Sequence, residues 1–340
     1  MGSIWAGFNG FLRGIIDLIY NLVQSHGWSV VLFTLLIRVV LLPFDIKSRQ
    51  SMRRMSKLNP KIQALQKKYA NDKEKFQQKQ AELYKKEKIN PLASCLPMLL
   101  TMPVLFAMFA VMRNVANEEL VRMLLTIQNA VGALTDPEQI RAAIDGMIAS
   151  GTLHFEPWLW IKNLWMADSP FSSVLPLNAQ GLSGLQVIAG LLDSDGLQAL
   201  KDFVETQPYL VVLEHFNAVP MPGVALNLLI TQLSIFKNPN GYFILPILAA
   251  ATQYLSTLLQ PMDQQNTAAQ SGGQQAGTGQ IMKVFFPLFS LWICATSNSA
   301  FSLYWLTANV IQIVQQVALN WYFDKQDKKL EGAAKEVTEQ

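Results

Sequence analysis

Charge is scarce in this chain: of its 340 residues only 15% are Asp, Glu, Lys or Arg, while 51% are hydrophobic. An ordinary soluble domain carries roughly 25% charge. A disordered or nucleic-acid-coating chain needs high charge and few apolar residues, so that class is excluded. Cysteine is scarcer still. Cys95 and Cys294 each sit inside an apolar run and can build neither a disulfide framework nor a cysteine-rich metal site. The three histidines, His26, His154 and His215, all lie outside the long apolar runs. There is no His-Glu-x-x-His, no Gly-x-Ser-x-Gly elbow and no Gly-Lys-Ser/Thr phosphate loop. Zinc protease, serine hydrolase and P-loop chemistry therefore have no residues to stand on. No enzyme activity, metal or cofactor is expected, with the cysteines read as small apolar fillers and the histidines as surface groups.

What the chain has is long apolar stretches. Runs of about 20 such residues can cross a bilayer as helices. Residues 27–45 make the first, 91–113 the second and 241–261 the third. Residues 281–323 are too long for one span, and Ser297-Asn298-Ser299 divides them into a fourth and a fifth helix joined by a tight turn. Before these, Ile4, Phe8, Phe11, Leu12, Ile15, Ile19 and Leu22 recur at helical spacing, with Arg13, Asp17 and Asn21 on the other side. That pattern predicts an amphipathic helix lying in the membrane interface within residues 1–26; a cleaved signal peptide fits less well, because no Ala-x-Ala-like site follows. Residues 208–236 are apolar but broken by Pro208, Glu214, His215, Pro220 and Pro222, and read as surface or interfacial helices. The fold class expected is an all-α polytopic membrane protein.

Orientation follows from the basic residues. Residues 46–90 hold 14 of the 27 Lys and Arg against four acids, whereas 114–240 hold five against twelve. Basic loops stay in the cytoplasm. The segment 46–90 is therefore cytoplasmic, 114–240 external, the N-terminus outside, and the Gln/Gly-rich loop 262–280 and the tail 324–340 inside. Within 46–90, Met52, Met55, Leu58, Ile62, Leu65 and Tyr69 form one apolar stripe over 46–70, and Phe76, Leu83 and Tyr84 a sparser one over 73–88. Asn71-Asp72 breaks the run, with Asp72 an N-cap, and Pro60 is a site for a kink or restart. The spacing predicts an antiparallel helical hairpin. Its cations, Arg53, Arg54, Lys57, Lys61, Lys67, Lys68, Lys85 and Lys86, read either as a solvated positive-inside face or as a docking surface for anionic lipid headgroups or ribosomal RNA.

Arg38 is the most informative residue. It lies in the first span, where an arginine costs about 2.5–3.5 kcal/mol on insertion scales. Asp45 is two turns away, and the other spans hold no Asp or Glu. Either Arg38 snorkels to the interface, or it faces a hydrated cavity. Polar stripes on the other spans favour the cavity: Ser302, Asn309, Gln312 and Gln316 with Trp305 on the fifth; Gln253, Ser256 or Thr257, and Gln260 on the third; Ser290 and Ser297 on the fourth; Ser94 and Thr101 on the second. Ordinary interhelical hydrogen bonding accounts for any one of them. Jointly they point to a shared hydrophilic groove.

These residues bring a family into view. LLIRVVLLP (35–43), the block from Asn59 to Phe109, FEPWLWIKNLWMADSP (155–170), GYFILPILAAATQYL (241–255) and FSLYWLTANVIQIVQQ (301–316) resemble the YidC-type membrane insertases of bacteria, mitochondria and chloroplasts. The resemblance implies a five-helix core around a groove open to the cytoplasm and the lipid. Arg38 matches the groove arginine and Trp305 the aromatic groove position. Thr257 stands where a glutamine is common. The implied lining is Arg38, Thr101, Gln253, Thr257, Ser297, Trp305, Asn309 and Gln312. An external segment at about 170–238 separates blocks that are usually nearly adjacent.

The implied function is insertion of nascent membrane proteins, single-span or short hairpin substrates, from the groove laterally into the bilayer without ATP hydrolysis. The implied partners are those nascent chains, membrane lipids, and the ribosome, signal recognition particle receptor and Sec translocon. The implied home is a bacterial plasma membrane. A transporter for small anions could use the same polar groove, and an intramembrane hydrolase is disfavoured because no nucleophile–base pair exists.

Overall fold

The computed structural model describes residues 2–87, 96–188, 190–227, 232–259 and 277–338. The described residues are mostly helical: α1 Gly2–Val23, α2 His26–Lys68, α3 Lys73–Lys86, α4 Leu96–Val131, α5 Pro137–Ala149, α6 Ser194–Phe203, α7 Gln207–His215, α8 Ile244–Leu259, α9 Gly277–Thr296 and α10 Ser299–Thr338. One two-stranded antiparallel ribbon, β1 Pro220–Asn227 with β2 Gln232–Phe236, lies between α7 and α8.

Several boundaries differ from the sequence expectation. The first span and the first hairpin helix are one continuous 43-residue helix, with Pro43 and Pro60 inside it. A proline in a helix interior costs about 3 kcal/mol, yet Leu58 and Ile62 on either side of Pro60 are both buried. Their burial holds the helix together across the missing hydrogen bond. The predicted break falls at 69–72, where the Asp72 carboxylate accepts from the Lys75 N–H at 3.0 Å and caps α3.

At the other end of the chain, Gly277–Gln280, expected in a loop, are the first residues of α9. The fifth apolar helix runs on through the expected tail to Thr338. Residues 208–236 are not helical throughout: α7 ends at His215, and Pro220–Asn227 and Gln232–Phe236 form the ribbon. Pro220 and Pro222 lack the N–H groups a helix would need, while Val, Leu, Ile and Phe suit strands. The rest of the flexible-loop expectation (260–276) and Ser94 lie outside the described residues.

Among the described residues, His26–Ser51 is the one helix long and apolar enough to cross a membrane; Ile244–Leu259 and Lys283–Thr296 are shorter apolar helices. Much of their apolar surface is uncovered by protein. Leu35, Val39, Val40 and Phe44 on α2, Ile247, Leu255 and Leu258 on α8, Phe285, Leu288 and Trp292 on α9, and Val310, Val314 and Val317 on α10 are all exposed. Such rows are rare on soluble proteins and fit lipid.

The chain divides into two compact units. The first comprises Met1–Phe33, Ala107–Ala250 and Phe289–Leu306. Its core is built by the C-terminal half of α4 (Val121, Leu124, Ile127, Val131), α5 (Ile140, Ile144), α6 (Leu200, Phe203), α7 (Tyr209, Val212) and the loops between. Short capped helices suit it: Asp136 caps α5 through the Glu138 N–H and Asp193 caps α6 through the Gly196 N–H. The buried Tyr209 hydroxyl donates to the Pro176 carbonyl at 2.7 Å.

In the same unit His26, at the start of α2, stacks on Tyr20 of α1 with centroids 3.9 Å apart, and its Nδ1 lies 3.0 Å from Glu156. Burial works against ionisation of Glu156, but the hydrogen bond and charge of His26, with the charge of His154, outweigh it and hold the carboxyl below its usual range. The second unit comprises Thr34–Phe106, Ala251–Leu288 and Thr307–Gln340.

Candidate functional site

The second unit gathers a set of polar groups on apolar helices. Arg38 is half-buried on α2, and its Nη2 donates to Gln312 Oε1 of α10 at 3.3 Å. Gln315 Nε2 reaches back to the Arg38 carbonyl at 3.5 Å. Among the described residues no carboxylate lies within the 4.0 Å ion-pairing distance of this guanidinium. A neutral amide orients the cation without cancelling its charge. One turn N-terminal to Gln312, the buried Asn309 donates from Nδ2 to Thr252 Oγ1 of α8 at 3.4 Å. Gln316 is 1% exposed, and both polar atoms of its amide lack a protein hydrogen bond; the buried Ser48 and Ser256 hydroxyls do as well. Buried polar atoms without a protein partner are uncommon and call for water or a ligand group.

The expected residues distribute unevenly. Arg38 and Gln312 meet directly. Asn309 meets Thr252 rather than Gln253. Thr257 is buried and folds its hydroxyl onto the Gln253 carbonyl at 2.9 Å. Trp305 and Ser297 belong to the first unit. Trp305 lies there between the rings of Phe289 and Phe301, with its Nε1 buried and unpaired. Ser297 sits in the α9–α10 turn, its N–H on the Ile293 carbonyl. That turn is pinned by Ser299, whose hydroxyl donates to the Met166 carbonyl at 2.7 Å, and by the Asn298 side chain, which accepts from the Phe301 N–H and caps α10. The Thr101 side chain lies outside the described residues.

The cations expected on the hairpin also divide. Arg54, Lys57, Lys61, Lys67, Lys68, Lys85 and Lys86 are exposed, as expected for either a solvated or a docking face. Arg53 is instead engaged by α10: it pairs with Asp324 and, at 3.2 Å, with Asp327, and its guanidinium lies over the Phe323 ring at 5.2 Å. Lys57 joins Asp327 at 3.0 Å, and Lys61 joins Glu87 at 2.8 Å. The Arg53 and Lys57 ion pairs were invisible in sequence because 270 to 274 residues separate the partners.

Asp168, quoted in sequence only as part of a motif, proves to be a structural centre of the first unit. It is fully buried and accepts from Trp160 Nε1 at 3.2 Å, the Tyr242 N–H at 2.8 Å and the Leu245 N–H at 2.6 Å. The last two donors open α8, where a carboxylate also meets the positive end of the helix dipole. Gly241 is required beside it, since a Cβ there would run into the carboxylate.

Apolar helices with uncovered faces, the longest of them carrying Arg38, fit a helical membrane protein. The model of the 60Kd inner membrane protein family matches residues 18–326, and the chain belongs to that family. It is 28% identical over 298 residues to ALBINO3-like protein 1, chloroplastic, of Arabidopsis thaliana, an alignment covering 88% of this chain and 44% of the relative. It is 40% identical over 114 residues to a membrane protein insertase YidC of Fusobacterium nucleatum, covering 34% of this chain and 56% of the relative. A membrane protein insertase YidC of Ectopseudomonas mendocina is 26% identical over 321 residues, covering 94% of this chain and 34% of the relative. The chain thus spans between 34% and 56% of these relatives' own lengths. The resemblance read from the sequence blocks is borne out.

Proposed function

We propose that this protein is a membrane protein insertase of the plasma membrane of a bacterium, with five spans, its N-terminus outside and its C-terminus inside. The observation that carries the reading is Arg38: a half-buried guanidinium on an apolar helix, oriented by the Gln312 amide, with no carboxylate within ion-pairing distance among the described residues. Relatives named as membrane protein insertases support it.

A hydrophilic tail or loop of a nascent protein enters the polar face around Arg38, Gln312 and Asn309 from the cytoplasm. Acidic groups on it pair with Arg38. The unsatisfied amide of Gln316 and the hydroxyl of Ser256 offer further hydrogen bonds to a passing backbone. The neighbouring apolar segment of the substrate then partitions into lipid along the uncovered faces of α8 and α10. Burial of a 20-residue apolar segment supplies the free energy at about 25 cal/mol per Å² removed from water, so no nucleotide is consumed. The hairpin of α2 and α3 receives the nascent chain or ribosome through its exposed lysines.

Reconstitution into liposomes with a short single-span substrate tests this. Protease protection of the translocated end is expected only with the protein present. Saturable uptake of a small anion without substrate protection would replace the insertase reading with a transporter. Deletion of residues 50–88 with full insertion would remove the receiving role of the hairpin.

A further inference from the structure

The first unit carries an exposed apolar turn that insertion does not use. Trp158 and Ile161 exchange both backbone hydrogen bonds at 2.9 Å, closing a turn whose second residue, Leu159, stands at φ +51°. A left-handed backbone is unfavourable for a branched side chain and natural for Gly or Asn. Here it holds a leucine outward, 69% exposed, between two tryptophans. Backbone strain of this kind clusters where a site has a function.

The neighbours say what that is. Trp158 stands edge-on to Trp28, in the first turn of α2, with centroids 5.8 Å apart. Gly27 makes room for it, since a Cβ there would overlap the indole. Trp160 is fixed by its bond to Asp168, the same carboxylate that caps the start of α8. The turn is therefore level with the first turns of two apolar helices. Trp28 and Tyr242, at those two helix starts, are themselves 50% and 58% exposed. Trp and Tyr gather where the hydrocarbon meets the headgroups. The flanking charges are engaged by other partners: Glu156 pairs with His26, and Lys162 is bound to Asn238. Residues 157–161 carry no charge of their own.

We propose that Trp158-Leu159-Trp160 is a lipid-binding wedge, seated at the acyl–headgroup boundary of the outer leaflet, with Leu159 as its tip. The proposal rests on the membrane reading above and on the external side assigned to residues 114–240. It fixes the depth of the first unit in the bilayer through the starts of α2 and α8.

The test uses the full chain with Cys95 and Cys294 changed to alanine and a nitroxide attached at Leu159→Cys, reconstituted into phosphatidylcholine–phosphatidylglycerol vesicles. Collision with oxygen, which concentrates in lipid, is compared with collision with a water-soluble nickel chelate. Val39→Cys, on the exposed apolar face of α2, and Gln139→Cys, on the exposed surface of α5, give the lipid and water references. The oxygen-to-nickel ratio at position 159 is expected to rise severalfold above that at 139 and to approach that at 39. A ratio at 159 equal to that at 139, with 39 lipid-like, overturns the wedge and leaves the membrane reading standing. A water-like ratio at 39 overturns both. Protection of 159 from both reagents overturns the lipid assignment in favour of a protein cover.

Discussion

Replacing Arg38 separates charge from architecture. In the folded protein its guanidinium donates a hydrogen bond to Gln312 at 3.3 Å, and a hydrogen bond to a charged group contributes about 1.5–3 kcal/mol. Against that, an arginine in an apolar span costs about 2.5–3.5 kcal/mol to insert. The two nearly cancel, so Arg38→Ala is expected to accumulate and fold like the parent. Activity is another matter. A substrate carboxylate about 5 Å from Arg38, at an effective dielectric near 20, gains roughly 3 kcal/mol before desolvation. Part of that is spent on dehydrating the pair, so insertion of an acidic-tailed substrate is expected to fall by roughly tenfold to a hundredfold.

The assay is protease protection in liposomes at matched protein levels, with two substrates identical except that one has its tail acids changed to amides. Arg38→Ala should impair the acidic substrate and spare the neutral one, and Arg38→Lys should restore much of the loss. Equal insertion of the acidic substrate by Arg38→Ala refutes the charge role. Failure of Lys as severe as that of Ala would mean that the fork geometry on Gln312, rather than charge, is what matters.

Three further outcomes are expected. Asp168→Ala removes the buried acceptor of the Trp160, Tyr242 and Leu245 donors; at about 1–3 kcal/mol for a buried orphaned donor such as the Leu245 N–H, its thermal midpoint in detergent should fall below that of the parent, and an unchanged midpoint would refute the capping role. Because the Glu156 carboxyl is held below its ordinary value near 4.5 by His26 and His154, its contribution to stability is present above that value and lost as the pH falls through the depressed one; Glu156→Gln should flatten the acid limb of the melting profile, and an identical acid limb would count against it. Asp324→Asn with Asp327→Asn frees Arg53 and Lys57; because exposed pairs are worth about 0–1 kcal/mol each, binding to anionic vesicles should tighten by only a few-fold and become more sensitive to salt, as read by flotation, and no change would leave the tail without influence on the basic face.

Much of the helical layout was legible in the residues. Apolar runs of bilayer length, the Asn71-Asp72 break, the Ser297–Ser299 turn and the basic loop at 46–90 all express local chemistry: hydropathy, capping, and charge set against lipid. The polar stripe on α10 was legible too, because Asn309, Gln312 and Gln316 recur at helical spacing. Three things were not. Pro60 reads locally as a break, but burial of Leu58 and Ile62 carries α2 through it. Residues 220–227 and 232–236 share their apolar composition with a helix, and only the pairing of Ala225 with Ser234 and Leu226 with Leu233 makes them a ribbon.

The third is pairing at long range. That Arg38 is an unusual charge follows from the sequence alone, since any arginine in such a run must be accounted for in a bilayer. That it rests on Gln312, 274 residues away, that Thr252 rather than Gln253 meets Asn309, that Asp168 ties Trp160 to the start of α8, and that the tail acids occupy Arg53 are facts of tertiary structure. Hydropathy and periodicity report what each segment wants to bury; which polar groups then meet is decided by how the helices cross, and no residue carries that information by itself.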